Sequence, residues 1–177
     1  MVRLARLWPL ACILLVLAPM AHAKTPADKF KGKIILSTKP FPARFSSDAA
    51  FISHLKKADT KGFKFDEKGK VNIEFMAFFS KAHSVTEFTA KVYDITDMSR
   101  PGLVTTFPIY PGQKNLRILA SGMTLDAGTF DEEHRYLMVI TASYQGPGIA
   151  ETKFAIKARP HEKVAPTAEV VDFSKPH

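Results

Sequence analysis

Alternation of apolar and polar residues from residue 62 onward constrains the fold of this chain more than any other feature. Val71, Ile73 and Phe75 alternate with Asn72 and Glu74. Because successive side chains of a strand point to opposite faces, a period of two predicts half-buried strands and not helices. The period recurs in segments 88–93, 103–109, 116–120 and 150–157, while 135–144 is apolar on both sides, as a central strand would be.

Turn-forming residues separate these segments. They lie at 66–69, 99–102, 111–112 and 146–148, and each group contains glycine. A first strand is predicted at 32–38, where Pro40 and Pro42 then remove backbone donors. Strands at short intervals with turns between them predict a mainly β domain over 32–158, folded as a single antiparallel β-sandwich. A β-barrel is the alternative architecture.

One short helix is predicted before the alternating region. Ser46 or Ser47 is placed to cap it, and Phe51, Ile52 and Leu55 form an apolar stripe along one side. A helix of about ten residues is too short to be stable alone, so it must dock on the sheet.

The last two predicted strands resemble the closing pair of an immunoglobulin-like sandwich. The resemblance rests on Gly128-Thr129-Phe130, on Tyr136 at the start of a long strand, and on a glycine-rich hairpin before Phe154–Lys157. It implies that Tyr136 takes the place of the tyrosine found near the start of the penultimate strand. It covers about 30 residues, lacks the cysteine pair and the tryptophan of that superfold, and implies no function.

Residues 1–23 have the three parts of a cleavable secretory signal peptide. Arg3 and Arg6 precede an apolar stretch at 7–17, and Ala21-His22-Ala23 provides the small residues before the cut. The chain from Lys24 is therefore expected to be exported, with 24–31 as a loose N-terminal segment and no transmembrane span. The only cysteine lies in the signal peptide. The absence of disulfides and of glycosylation acceptors favours a bacterial envelope protein, in the periplasm or outside the cell.

Positive charge is concentrated in the first third of the exported chain. Segment 24–70 holds 12 basic and 5 acidic residues, whereas 71–158 holds 8 and 9. Such a local field attracts anions, although lysines also serve simply to keep a surface soluble. The residues predicted to bind an anionic surface or protein partner are Lys33, Lys39, Arg44, Lys56, Lys57, Lys61 and Lys64.

No catalytic, metal-binding or cofactor-binding constellation is apparent. The histidines are not paired at ligand spacing, and a nucleophile elbow, a phosphate-binding loop and a calcium loop are all missing. Asp131-Glu132-Glu133 beside His134 is the densest titratable cluster, and it is expected to solvate a turn. Strand parity turns four aromatic residues outward, where they would contact sugars or protein, since export excludes nucleic acid: Phe78, Tyr93, Tyr110 and Tyr144.

Two functions remain after these exclusions. The first is a non-enzymatic binding module of the envelope that uses its basic third. The second is an accessory subunit that joins an assembly by edge-strand pairing, through the sheet or through 168–173 in the proline-containing tail at 159–177. A hydrolase with a site assembled from distant loops ranks third. The sequence does not indicate an oligomeric state.

Overall fold

The computed structural model describes residues 24–159. The predicted signal peptide and the tail beyond Arg159 lie outside the described residues. Two helices of this part are α1 (Pro26–Lys29) and α2 (Asp48–Ala58). The strands are β1 (Lys33–Ser37), β2 (Gly62–Phe63), β3 (Lys70–His83), β4 (Phe88–Asp94), β5 (Gly102–Ile109), β6 (Leu116–Asp126), β7 (Arg135–Thr141) and β8 (Gly148–Ile156).

The strands form one mixed sheet that curls into a half-barrel. Seven strands follow the order β5-β4-β7-β8-β1-β3-β6, and the two-residue β2 pairs with β8 beside this path. The mainly β prediction is confirmed, but the two-sheet antiparallel sandwich is wrong. The reason is β1, which pairs antiparallel with β3 on one side and parallel with β8 on the other, at Lys33 and Glu151. This strand joins what would otherwise be two sheets, and alternation within a strand does not specify its neighbours.

The concave side of the sheet encloses the main hydrophobic core. Every second residue of β3, β4, β7 and β8 points into it, including Phe75, Phe88, Met138 and Phe154. Burial of these apolar side chains is the dominant favourable contribution to folding. The predicted alternation is therefore confirmed as the determinant of which residues enter the core.

Helix α2 lies on the convex side of the sheet, over β1 and β3. Ser47 caps it by accepting a hydrogen bond from the backbone N–H of Ala50 at 3.1 Å. Leu55 is fully buried against Ile35 and Phe78, in a second, smaller apolar cluster. The predicted helix, its cap and its docking on the sheet are confirmed.

The segment 24–31 is not loose, contrary to the prediction. Thr25 caps the short helix α1, and the ring of Phe30 packs 5.3 Å from that of Phe78. Arg117 in β6 also pairs with Asp28, at 2.6 Å between Nη2 and Oδ1. Phe30 anchors this segment to the sheet by apolar contact. The sequence did not indicate this contact, because Phe30 stands among lysines.

The buried side chain of Tyr136 is held by the turn that precedes β7. It stands at the start of β7, and its hydroxyl accepts from the backbone N–H of Asp131 at 2.8 Å and contacts the carbonyl of the same residue at 3.2 Å. Burial raises the pKa of Tyr136 to about 12, so the hydroxyl stays protonated. These contacts tie β7 to the turn before it, within one curled sheet and not within an immunoglobulin-like sandwich.

Candidate functional site

The first concavity on the convex side lies at the seam between β1 and β8. It encloses about 450 Å3 and is lined by four lysines, which are Lys31, Lys33, Lys61 and Lys153. Asp59 and Glu151 also line it. The two strands pair here at one residue pair only, Lys33 and Glu151. The lysines of β1 and β8 therefore border the same short contact between the strands.

Lys61 is fixed in place at this seam, in contrast to the other lysines. Its ammonium donates to the hydroxyl of Thr152 at 2.6 Å and pairs with a carboxylate oxygen of Asp59 at 2.8 Å. Thr152 is buried. Lys61 therefore connects the segment after α2 to strand β8, and its charge is partly neutralised.

A second concavity of about 380 Å3 lies between the loop after β1 and helix α2. It is lined by Lys39, His54 and Lys57 together with Ser37 and neighbouring loop residues. The ring of His54 packs 5.3 Å from that of Phe45. His54 is thus a boundary residue of the helix, half-buried between aromatic rings and lysines.

The third concavity, of about 460 Å3, separates α1 from α2. Lys24, Lys29 and Lys56 line it, along with Asp48 at the start of α2. Lys56 and Lys57 are consecutive in the last turn of α2, where their charge complements the helix dipole. Lys57 lines the second concavity and Lys56 lines the third, so both concavities border the C-terminal end of α2.

The structure brings together four of the seven predicted basic residues in two pairs. Lys33 and Lys61 share the seam, and Lys39 and Lys57 share the second concavity. Lys56 belongs to the third, while Arg44 and Lys64 are exposed and line none of the three.

Four further lysines belong to the same surface but were not singled out from the sequence. Lys24, Lys29 and Lys31 were hidden in a segment taken to be loose. Lys153 belongs to a part of the chain with no excess of positive charge. The sequence indicated that Lys153 points outward from its strand, but it did not indicate that β8 pairs with β1. We call the nine lysines the lysine face: Lys24, Lys29, Lys31, Lys33, Lys39, Lys56, Lys57, Lys61 and Lys153.

The four aromatic residues with outward parity differ in how far they are buried. Phe78 is fully buried beneath the helices, so its predicted exposure is wrong. Tyr110 and Tyr144 are exposed, as predicted, and the ammonium of Lys91 lies 5.0 Å above the ring of Tyr144. Tyr93 is half-buried. No continuous aromatic row results within the described chain.

A histidine–carboxylate pair, which the sequence did not reveal, joins the ends of β4 and β7. His134 Nδ1 lies 2.6 Å from Asp94 and 4.0 Å from Asp131. Burial raises the pKa of Asp94, but hydrogen bonds from Thr96 and His134 outweigh it, so this pKa lies below its usual range. The pair fixes the loop after β4 against the start of β7.

Two further titratable groups near strand ends have identifiable surroundings. The guanidinium of Arg159 pairs with Glu132 at 2.5 Å, beside the turn that the acidic run was expected to solvate. Burial, and secondarily the charge of Lys81, lower the pKa of His83. Over the described range, no group of three or more potential metal ligands converges. Neither helix of that range has the length and apolarity needed to cross a bilayer.

Comparison with known proteins identifies no family for this chain. No protein-family model and no curated protein matches the sequence. Among solved structures, a β-glucosidase from Listeria innocua in complex with isofagomine matches 73% of this chain and 16% of its own, with 12% identity and a TM-score of 0.33. The same enzyme in complex with gluconolactone gives 12% identity, the same coverage and a TM-score of 0.32. The chain spans about one sixth of that enzyme, and the likeness extends to a mainly β curled sheet alone.

Proposed function

We propose that this chain is an exported, non-enzymatic binding module of the bacterial cell envelope, and that its lysine face associates with an anionic surface. One observation carries the proposal. Lysines from α1, β1, the end of α2 and β8 line three concavities that surround one helix. Residues far apart in sequence thus contribute like charge to a single side of the molecule.

The acidic residues of this side only partly neutralise it. Asp28 is engaged by Thr25 and Arg117, whose hydrogen bonds lower its pKa, and Asp59 is paired with Lys61. Asp48 and Glu151 remain at the margins of two concavities. Even with Glu74 at an outward position of β3, the carboxylates of this side are fewer than its nine lysines. The resulting positive field raises the rate of encounter with anionic partners.

An anionic lipid surface suits this layout better than a single small anion. The lysines are exposed and spread over several elements and three concavities, so they present charge over an area and not at one point. A lysine close to an anionic bilayer contributes about 1 kcal/mol to binding, and the attraction vanishes within a Debye length. Several such lysines give reversible, salt-sensitive association without insertion into the bilayer.

The test uses the chain from Lys24 and sedimentation with lipid vesicles. Vesicles of pure phosphatidylcholine are compared with vesicles in which about one third of the lipid is phosphatidylglycerol. The unmodified protein should sediment with the anionic vesicles at low salt and dissociate at high salt. The triple variant Lys33→Glu, Lys56→Glu and Lys57→Glu, with one change in each concavity, should bind at least about a hundredfold more weakly.

A matched variant controls for net charge. Lys68→Glu, Lys81→Glu and Lys114→Glu change the charge equally, at exposed residues that line none of the three concavities. This control should bind nearly as well as the unmodified protein. Equal weakening of vesicle binding in both variants would mean that only the total charge matters. Failure of the unmodified protein to bind anionic vesicles would refute an anionic-surface role.

The accessory-subunit function has one structural observation in its favour. Strand β6 is eleven residues long and forms one end of the sheet path, with β3 as its neighbour in the described chain. An unpaired edge of this length can accept a strand from a partner through main-chain hydrogen bonds. Such pairing is less sensitive to salt than exposed charge. Retention of the native protein in the envelope fraction through a high-salt wash would favour this second candidate.

A further inference from the structure

A fourth concavity lies under the loop that connects β4 to β5. It encloses about 400 Å3 and is lined by Lys61, Ile95, Met98, Arg135, Lys153, Phe154 and Ala155. Pockets of about 300–1,000 Å3 are typical of small-molecule sites. It shares Lys61 and Lys153 with the seam, but the loop residues and Arg135 belong to it alone among the concavities described above.

Arg135 holds the loop over the sheet. Its carbonyl accepts from the N–H of Ile95 at 2.8 Å, and its own N–H donates to the hydroxyl of Thr96 at 2.9 Å. Its guanidinium donates to the carbonyl of Thr96 at 3.1 Å. The wall formed by the loop is thus anchored at its base, which makes the concavity a built feature of the fold.

The floor and outer wall of this concavity are apolar. Ile95 is buried beneath it, and Ala155 of β8 lies beside it. Met98 is 64% exposed, although a methionine side chain is apolar and flexible. Met98 therefore offers an adaptable contact surface to an apolar group that enters from solvent.

The charged residues in the lining are all cations. Lys153 and Arg135 have no ion-pair partner within residues 24–159, whereas Lys61 is paired with Asp59. Asp97 of the same loop does not line the concavity, and its carboxylate accepts from the N–H of Ser99 at 2.9 Å and from the hydroxyl of Ser99 at 2.7 Å. An entering anion would meet two unpaired cations at the rim and no lining carboxylate.

We propose that this concavity binds a small anionic amphiphile, a molecule with a carboxylate head and a short hydrocarbon body. The head lies between Lys153 and Arg135, and the body lies against Ile95, Met98 and Ala155. Charge complementarity selects the head and apolar burial selects the body. The site shares Lys61 and Lys153 with the lysine face, but it also depends on the loop residues and on Arg135, which that face lacks.

Titration of the chain from Lys24 with sodium octanoate, followed by NMR of backbone amides, tests the proposal. Saturable shifts are expected at residues 95–98, 135 and 153–155. Acetate has the same head without the body, and 1-octanol has the body without the charge. Each should bind at least about tenfold more weakly than octanoate.

Two variants locate the site. Met98→Glu places a carboxylate at the exposed wall and should abolish octanoate binding, whereas Met98→Leu should preserve it. Unaltered binding by Met98→Glu, or shifts centred elsewhere, would overturn the proposal, as would equal binding of octanol and octanoate. The triple lysine variant used with vesicles should still bind octanoate, and Met98→Glu should still bind vesicles, so that failure of one proposal is distinguishable from failure of the other.

Discussion

The two halves of the curled sheet share one core but differ on their convex sides. Over β1 and β3, the outward residues Ile35, Met76 and Phe78 are buried beneath α1 and α2. Over β4, β7 and β8, the outward residues Tyr93 and Leu137 are only half-buried. The same strand parity thus leads to full burial in one half and to partial exposure in the other, according to whether another segment covers the sheet.

The composition of the outward positions matches this difference. On the open half, apolar residues stand beside charged ones across neighbouring strands, as Leu137 does beside Lys153 and Val139 beside Glu151. On the covered half, the outward positions turn from Asn72 and Glu74 to Met76 and Phe78 along β3. Consecutive apolar residues do not by themselves mark where a helix docks, since residues 136–140 of β7 are also apolar but lie on the open half. The open half differs in the charged residues that its neighbouring strands place beside the apolar ones.

The largest expected effect concerns the covered half. Phe78→Ala removes a fully buried ring from beneath the two helices and should lower the free energy of unfolding by about 3–5 kcal/mol. Tyr93→Ala, at an outward position of the open half, should lower it by much less, because that ring already contacts water. Urea denaturation of both variants measures the difference, and equal losses would contradict the distinction between the halves.

A smaller effect should appear where polar contacts hold the end of the open half. Asp94→Asn removes the charged acceptor that His134 and Thr96 share, and should lower stability at pH 7 by about 1–2 kcal/mol. The lowered pKa of Asp94 contributes stability above its unfolded value of about 3.9, and this contribution is lost as pH falls through the folded value.

Urea denaturation of both proteins at neutral and at acidic pH tests this dependence. The unmodified protein should lose its advantage over Asp94→Asn between about pH 5 and about pH 2. An advantage that persists below that range would show that the carboxylate charge is not the source of the stabilisation.

The smallest effect concerns the start of the covering helix. Ser47→Ala removes the cap of α2 and should lower stability by about 1 kcal/mol. Ser46→Ala is the matched control, since Ser46 is exposed and lies just outside the cap position, and it should leave thermal unfolding nearly unchanged. Identical unfolding temperatures for the two variants would indicate that the helix is held by Leu55 and its neighbours alone.

The sequence predicted the elements more fully than their arrangement. Alternation located five of the seven longer strands, apolar runs located β1 and β7, and Ser47 with Leu55 located α2 and its buried side. The parallel contact between β1 and β8 was not predictable, because it depends on residues at opposite ends of the domain, and the sandwich was expected in its absence. Phe78 was placed outward correctly, but its burial depends on α1, whose anchor Phe30 stands among lysines.

For the candidate site, too, the sequence predicted the residues more fully than their arrangement. Net charge by segment identified the basic region, since lysines are read directly from the sequence. The grouping of Lys33 with Lys153, and the approach of Met98 to Arg135, depend on strand order. His134 and Asp94 are forty residues apart and meet only because β4 and β7 are paired.

Strand β8 has a consequence for the order in which the chain acquires its structure. It is the last strand of the described chain, yet it pairs with β7 and with the early strands β1 and β2. During synthesis, β1 and β2 have no completed partner in β8 until nearly the whole domain has been made. Contacts of such high sequence separation slow folding, and the sheet cannot be completed until its final strand has been synthesised.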